Sequence, residues 1–501
     1  MSADQGRGSE GASGSGRPAH HTFFAIFPSI MLPMFLAVVD QTIVATALPA
    51  IAADTGNVAR ASWVVVSYLI ASTIAAPIYG RLGDAFGRRR LMFAAIFIFI
   101  IASLLCAASP TIELLALARV VQGFGGGGLM TLSQALIGEA VPPRERARYQ
   151  GYLAAVAVCA NTFGPVAGGY LTEHFGWKSV FLINVPIGLI AVLLTRNLEN
   201  VIPGRSNWRP DPIGLTLFTI FVTTALLTLE QVQLMDRSAL PLLGGLFAAV
   251  AVSLALLVRQ ETRAPSPLIP LSLLRLPTIW RSDALAAFHG AALVSLITFL
   301  PIYLEVVRGL SPAATGLLLV PLTIGIGAGS LLTGRLVSKT GWTTVFPVLG
   351  LALVTVNLVV LALWVQTLNQ TALGWLLLWN GLCMGTVMGV VQVTVQFASG
   401  PLRLGEAAAS VQFSRSIGAA FGTALMTAVL LAVLSIKNPE AARVFATMAQ
   451  QGAHAASNLP ATQPAEIQAV IAEAFRAAFL SIAAFAAVGF FLALSIPLRR
   501  I

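Results

Sequence analysis

Long apolar runs alternate with short polar connections along almost the whole chain. From about residue 23 onward, fourteen such runs contain roughly twenty residues each and few charges. A run of that length can cross a bilayer as a helix. The pattern therefore predicts an all-α polytopic membrane protein with spans at about residues 23–49, 61–80, 91–110, 113–136, 150–171, 177–195, 211–233, 239–259, 281–305, 312–335, 343–365, 371–396, 407–434 and 475–497.

The most informative polar connection is the segment 80–92, between the second and third runs. It concentrates four arginines, Asp84 and three glycines. Clustered arginines beside a span indicate the cytoplasmic side, and glycines permit a tight turn and close backbone approach. We expect Asp84 to meet an arginine or a neighbouring helix N-terminus and so latch one arrangement of the protein. The predicted gate comprises Gly80, Gly83, Asp84, Gly87 and Arg88.

Plain anchoring by positive charge is the alternative for this segment. It accounts well for Arg89 and Arg90 but poorly for Asp84, because an acidic residue adds nothing to such an anchor.

Composition excludes a soluble globular protein and gives no support to nucleic-acid binding. Of 501 residues, 57% are hydrophobic and 10% are charged, and the mean hydropathy is +0.84. The net charge of +10 comes from short basic clusters between apolar runs, which is typical of contact with anionic lipid. The three cysteines lie inside apolar runs without metal-ligand spacing, so no metal site is predicted.

The distribution of basic residues predicts the orientation. With the N-terminus inside, 21 of the 30 lysines and arginines fall on the cytoplasmic side and 7 on the other, with Arg119 and Arg415 inside spans. This bias predicts that both termini are cytoplasmic. The Gly- and Ser-rich segment 1–22 is expected to be a disordered cytoplasmic tail.

A weak internal repeat suggests two related halves. Residues 334–341 share Gly, Arg, Leu and Gly with residues 80–87 at the same offsets, with Ser338 in the place of Asp84. Paired halves are what alternating access about a central site requires. The predicted organisation is a six-helix lobe at 23–200, two inserted helices at 201–265 and a second six-helix lobe at 266–501.

Asp40 and Arg119 are charged residues inside the first and fourth predicted spans. A charge near the bilayer centre costs about 2.5 to 3.5 kcal/mol on insertion scales, so neither should face lipid. Counting about 1.5 Å per residue places both in the outer half of the membrane, at depths that long side chains can bridge. We predict that Asp40 binds the transported proton and that Arg119 modulates it, with a permanent structural ion pair as the alternative.

Two glycine patterns have different interpretations. Gly164 and Pro165, followed by Gly168 and Gly169, predict a kinked fifth span that packs closely against a neighbour. The pattern 123–128 formally fits a dinucleotide fingerprint, but it lies inside an apolar run with no preceding strand. Close helix packing is therefore predicted there.

Four motifs in the first half resemble those of the fourteen-span drug:proton antiporters of the major facilitator superfamily. They are Gly80-x-Leu82-Gly83-Asp84-x-x-Gly87-Arg88-Arg89, Val39-Asp40-Gln41-Thr42-Ile43-Val44-x-x-Ala47-Leu48-Pro49, Leu117-x-Arg119-x-x-Gln122-Gly123, and Gly151 with Gly164-Pro165-x-x-Gly168-Gly169. In the second half, Arg415-x-x-Gly418 is also similar. The sequence departs from the family at Ala85, where a basic residue is usual, and at Ala160, where a glycine is usual.

The resemblance implies export of small lipophilic compounds, expected to be cationic and of more than one kind, against inward proton flow across the cell (inner) membrane. The proton gradient replaces any cofactor, and a periplasmic adaptor partner is left open. The candidate substrate pocket comprises Phe35, Trp63, Tyr68, Asn161, Phe163, Tyr303, Asn380, Met384 and Arg415.

Two other classes of function remain open at this stage. A facilitator or proton symporter of the same fold would share Asp40. A membrane enzyme or sensor is less favoured, because the chain has no metalloprotease motif, nucleophile elbow or sizeable soluble domain.

Overall fold

Helices joined by short connections form the described part of the protein. The computed structural model describes residues 19–56, 60–198, 211–234, 240–265, 267–268, 271–438, 441–442, 445 and 464–501. The first half contains α1 (Ala19–Thr55), α2 (Trp63–Phe86), α3 (Arg88–Ala108), α4 (Ile112–Ala140), α5 (Pro143–Phe175), α6 (Ser179–Leu182) and α7 (Asn184–Thr195).

The remaining helices follow in the same manner. The central pair is α8 (Pro212–Leu234) and α9 (Leu240–Arg263). The second half contains α10 (Leu271–Leu274), α11 (Pro277–Val306), α12 (Pro312–Thr340), α13 (Val345–Trp364), α14 (Gln370–Met384), α15 (Met388–Ser399), α16 (Leu404–Lys437) and α17 (Pro464–Ser495).

Each predicted span coincides with helix, but the count of fourteen spans is not confirmed. Twelve helices in the described residues are long and apolar enough to cross a membrane, with α14 and α15 counted as one. The segments outside this count are α4 and the broken pair α6–α7. A run of four glycines and two charged groups, Glu113 and Arg119, makes α4 less hydrophobic than its neighbours.

Each half has its own apolar core. One core is formed by buried residues between 30 and 198, and the other by residues between 291 and 486. The pair α8–α9 packs against both α2 and α16, with Phe218 of α8 at a ring-centroid distance of 5.4 Å from Phe413 of α16. The central helices therefore bridge one helix of each half, while the proposed lobe boundaries stay a prediction.

Two predicted irregular segments fall largely outside the described residues. Of the expected tail 1–22, residues 1–18 are not described, and α1 begins at Ala19. Most of the expected outer loop 435–474 is also outside, since α16 ends at Lys437 and α17 begins at Pro464.

The arginine-rich segment is more regular than the predicted turn. Helix α2 continues through Gly80 and Gly83 to Phe86, and α3 begins at Arg88. The break is confined to Gly87, whose φ of 95° favours glycine. Gly341, after α12, likewise has a positive φ of 76°. The expectation of a longer turn was wrong, but both copies of the repeat end a helix at a glycine.

The glycines of α4 allow close packing. A Cβ added to Gly125 would lie 2.9 Å from the Phe99 backbone nitrogen of α3, and one added to Gly128 would lie 2.7 Å from the Tyr79 ring of α2. Neither distance leaves room for a side chain. The interpretation of this pattern as helix packing and not as a dinucleotide site is confirmed.

Candidate functional site

Asp40 and Arg119 form a buried ion pair inside the first half. Arg119 Nη1 lies 2.5 Å from Asp40 Oδ2, and the two residues are 1% and 0% exposed. The other carboxylate oxygen, Oδ1, accepts hydrogen bonds from Gln122 Nε2 at 2.9 Å and from Asn184 Nδ2 at 2.7 Å. The acid on α1 therefore receives three donors from α4 and α7.

The guanidinium is equally well satisfied. Arg119 Nε donates to the Val64 carbonyl at 3.0 Å, and Nη1 also donates to Gln122 Oε1 at 2.8 Å. The Tyr68 ring centroid lies 4.1 Å from Arg119 Cζ, which is within cation–π range. In this state both charges are compensated, and removal of either one would leave the other buried without a partner.

Gln122 and Asn184 are functional candidates that the sequence analysis did not single out. Gln122 stands in the fourth-span motif one helical turn after Arg119, so its spacing was a usable signal. Asn184 opens the short helix α7 and has no such signal. Its contact with Asp40 depends on how α7 packs against α1.

A second polar cluster joins the halves at the arginine-rich end of the molecule. Asp84 accepts hydrogen bonds from the backbone N–H of Gly405, at 2.9 and 3.0 Å to its two oxygens, and from that of Glu406 at 3.0 Å. Gly405 and Glu406 begin α16, so the carboxylate caps the positive end of its helix dipole. Arg88 pairs with Asp84 and with Glu139, and Arg81 pairs with Glu406. We call this cluster of Arg81, Asp84, Arg88, Glu139, Gly405 and Glu406 the latch.

Close backbone contact supports the latch. A Cβ added to Gly80 would lie 2.5 Å from the Gly405 carbonyl oxygen and 2.8 Å from Ala409 Cβ. Gly83 packs elsewhere, since its added Cβ would meet Leu132 of α4 at 2.9 Å. Within the predicted gate, Gly80, Asp84 and Arg88 therefore lie at the junction, whereas Gly83 packs inside the first half and Gly87 separates α2 from α3.

Further contacts between the halves lie toward this latched end. Gln396 Nε2 of α15 donates to the Gln134 carbonyl of α4 at 3.0 Å, and α5 passes close to α12 where Gly151 faces the Ser330 carbonyl. Toward the other end, Trp63 of α2 and Phe163 of α5 are 40% and 67% exposed. The protein is closed at the latched end, and the opposite ends of these helices are less covered.

The fifth-span motif has two packed glycines and one open glycine. Gly164 and Gly168 face α1, where an added Cβ would collide with the Thr42 and Thr46 side chains, and Gly168 is also close to the Ile43 carbonyl. Gly169 has nothing within 4 Å of an added Cβ. The expectation that Gly169 permits tight packing was wrong, because its side of the helix has no neighbour. Pro165 lies within α5, which continues to Phe175.

Comparison with known proteins agrees with this architecture. The family model described as the Major Facilitator Superfamily matches residues 30–423. The chain belongs to that superfamily. It is accordingly a multi-pass membrane transporter and not an enzyme.

Several relatives of this superfamily member cover most of its length. An uncharacterized MFS-type transporter of Mycobacterium tuberculosis is 33% identical over 487 residues, 95% of this chain and 70% of the relative. The multidrug transporter MdtP of Bacillus subtilis is 30% identical over 412 residues, 81% of this chain and 75% of the relative. The first relative has no assigned substrate, and the second is named for multidrug transport.

Solved structures of the superfamily share the fold at low sequence identity. The human organic anion transporter MFSD10 is 14% identical with a TM-score of 0.65, covering 95% of this chain and 99% of its own. The proton:xylose symporter XylE is 13% identical with a TM-score of 0.63, covering 96% and 97%. These likenesses show the fold of this transporter alone.

The nine residues predicted to line its substrate pocket do not gather in one place. Tyr68 packs on Arg119, and Tyr303 packs against Phe475 and Phe479 while lining an open cavity of about 450 Å³ beside Arg308. The other members fall into three groups: buried in α14, Asn380 and Met384; exposed, Trp63, Asn161 and Phe163; half-buried, Phe35 and Arg415. A single pocket built from this set was the wrong expectation, because its members belong to different faces and ends of both halves.

Proposed function

We propose that this transporter exports small lipophilic compounds, lipophilic cations among them, in exchange for protons that enter through the same protein. The multidrug name of the Bacillus subtilis relative supports the substrate class. We place the latched end in the cytoplasm because Arg81 and Arg88 to Arg90 cluster there. In this arrangement α4 and the pair α6–α7 complete fourteen spans in the cell (inner) membrane, and both termini are cytoplasmic.

The observation that carries the proposal is the Asp40–Arg119 pair. A buried carboxylate with three donors is held in its charged form. A proton on Asp40 would leave Arg119 without its ionic partner, and breaking a buried pair typically costs about 3 to 5 kcal/mol. Protonation of Asp40 is therefore tied to a rearrangement of the helices that hold Arg119. Such a tie between a proton and a conformation is what coupling requires.

The latch supplies the second half of the proposal. Opening the cytoplasmic end must separate Asp84 from the start of α16, so these contacts favour the state that is closed on that side. A gate between two halves that rock about a central site gives alternating access. In the proposed cycle, substrate leaves from the uncovered end while the latch is closed.

The decisive experiment is flux in proteoliposomes with an imposed pH gradient and tetraphenylphosphonium as the probe. Wild-type protein should accumulate the cation in the more acidic compartment, because protons leaving that compartment drive the cation in. Asp40→Asn should abolish gradient-driven accumulation, and Arg119→Ala should fail to transport while still reaching the membrane. Glu305→Gln removes a carboxylate from α11 outside this cluster and is the matched control.

The outcomes separate the alternatives. Accumulation in the alkaline compartment would indicate a symporter, and transport that ignores the gradient would indicate a facilitator. If Asp40→Asn retained full gradient-driven exchange, Asp40 would not carry the coupled proton.

A further inference from the structure

Asp283 is a buried acid in the second half that no motif singled out. It lies in the second turn of α11 and is 5% exposed. Its Oδ1 accepts a hydrogen bond from the Ser410 hydroxyl of α16 at 3.3 Å, and its Oδ2 has no hydrogen-bond partner. In the described part of the chain it forms no ion pair. Its surroundings therefore differ sharply from those of Asp40.

The charged and titratable groups near Asp283 are engaged elsewhere. On α11 itself, Arg281 donates to the Ser495 carbonyl, and His289 Nε2 lies 3.1 Å from the Met384 carbonyl. On α16, Glu406 pairs with Arg81, and Arg415 donates to Gln412 Oε1 at 3.2 Å. Helix α15 presents the amides of Gln392 and Gln396 and no charge. The other charged residues on helices packed against α11 are Arg335 and Lys339 of α12 and Glu473 and Arg476 of α17, none of which pairs with Asp283.

This environment does not support a charged carboxylate. An isolated buried carboxylate pays a large desolvation penalty, and the usual response is to take up a proton. A single hydroxyl donor at 3.3 Å offsets little of that penalty. A protonated carboxyl group, in contrast, can accept from Ser410 on one oxygen and carry its proton on the other.

We propose that Asp283 is a second proton-binding site, located in the second half, and that it is protonated while the latch is closed. The ligand is the proton alone, since the buried site has no cavity for a larger cation. This inference rests on the proposed function, in which protons drive transport. It adds a second acid whose protonation state is opposite to that of Asp40 in the same conformation.

The position of Asp283 links its proton to the latch. Ser410 follows Ala409, whose Cβ lies 2.8 Å from a Cβ added to Gly80. One turn earlier on α16, Gly405 and Glu406 hold Asp84. When this part of α16 moves away from α2, the seal over Asp283 opens toward the latched end. The O–H bond of the carboxyl group then breaks, its proton passes to water at that end, and a hydrated carboxylate remains.

Infrared spectroscopy tests the protonation state directly. Wild-type protein at neutral pH should show the carbonyl stretching band of a protonated carboxylic acid, and Asp283→Asn should lose one such component. Asp40→Asn and Glu305→Gln should retain it. Ser410→Ala should move the band to higher frequency without removing it, because the carboxyl group loses its hydrogen-bond donor. An unchanged spectrum for Asp283→Asn would overturn the inference.

Transport stoichiometry tests the coupling role separately. With the membrane potential clamped, one proton fewer per substrate lowers the limiting accumulation ratio about tenfold for each pH unit of gradient. Asp283→Asn should show that drop, and Glu305→Gln should not. If the wild type is driven by the gradient and Asp283→Asn reaches the same ratio, this inference fails while the proposed function stands. If the wild type is not driven at all, the proposed function itself fails.

Discussion

Removal of the Asp84 carboxylate should open the latched end of the transporter. Asp84→Ala deletes the acceptor for the first backbone N–H groups of α16, at Gly405 and Glu406. Arg88 is not left alone by this change, since it also pairs with Glu139. The loss is therefore confined to the contact between the two halves.

The magnitude follows from the two hydrogen bonds that Asp84 makes with α16. A hydrogen bond to a charged group is worth about 1.5 to 3 kcal/mol, and water replaces part of that value once the end opens. We expect a net loss of about 3 kcal/mol for the closed state. Since each 1.4 kcal/mol is a factor of ten, the ratio of closed to open molecules should fall about a hundredfold. Asp84→Asn keeps one acceptor without the charge, so a smaller shift is expected.

Distance measurements between spin labels can detect this shift. Labels at Arg90 and Leu402, both exposed at the latched end, report the separation of the halves after the three native cysteines are replaced. Asp84→Ala should move most of the population to a longer distance. Glu113→Ala is the control, because Glu113 pairs with Arg60 near the start of α4, outside the latch. An unchanged distance distribution in Asp84→Ala would refute the assignment of the latch.

Two further predictions concern the glycines. Gly164→Ala should lower the thermal unfolding midpoint in detergent, because overpacking against Thr42 typically costs about 1 to 3 kcal/mol, whereas Gly169→Ala has open space and should leave the midpoint unchanged; equal effects would show that the motif packs differently. Gly80→Ala should lengthen the same spin-label distance without removing any charge, since its Cβ would press on the Gly405 carbonyl, and an unaltered distance would show that the helices can relax locally.

The helices and the chemistry of single residues were predictable from the sequence. Apolar run length placed helix at each expected span, because a bilayer demands it. The cost of a charge inside a span predicted that Asp40 and Arg119 would find partners. The attraction of an acid to a helix N-terminus predicted the kind of contact that Asp84 makes, though not which helix it would meet.

The remaining features depend on packing between distant segments. Asn184 reaches Asp40 across 144 positions, and no local pattern encodes that contact. The nine-residue pocket was wrong because residue type alone does not tell which face of a membrane helix is covered. Asp283 was overlooked because an acid near the end of a span is commonly a rim charge. Only its burial against Ser410 distinguishes it.

The two buried acids constrain how a cycle can run. Asp40 has an arginine and two amide donors, which favours the carboxylate, whereas Asp283 has one hydroxyl donor, which favours the neutral acid. Both belong to the closed state of the latch, so that state holds a proton in the second half and a charge in the first. If opening the latch exposes Asp283 to water and loosens Arg119 from Asp40, the two acids exchange states. A substrate that competes for either arrangement then shifts the proton balance without direct contact with either carboxylate.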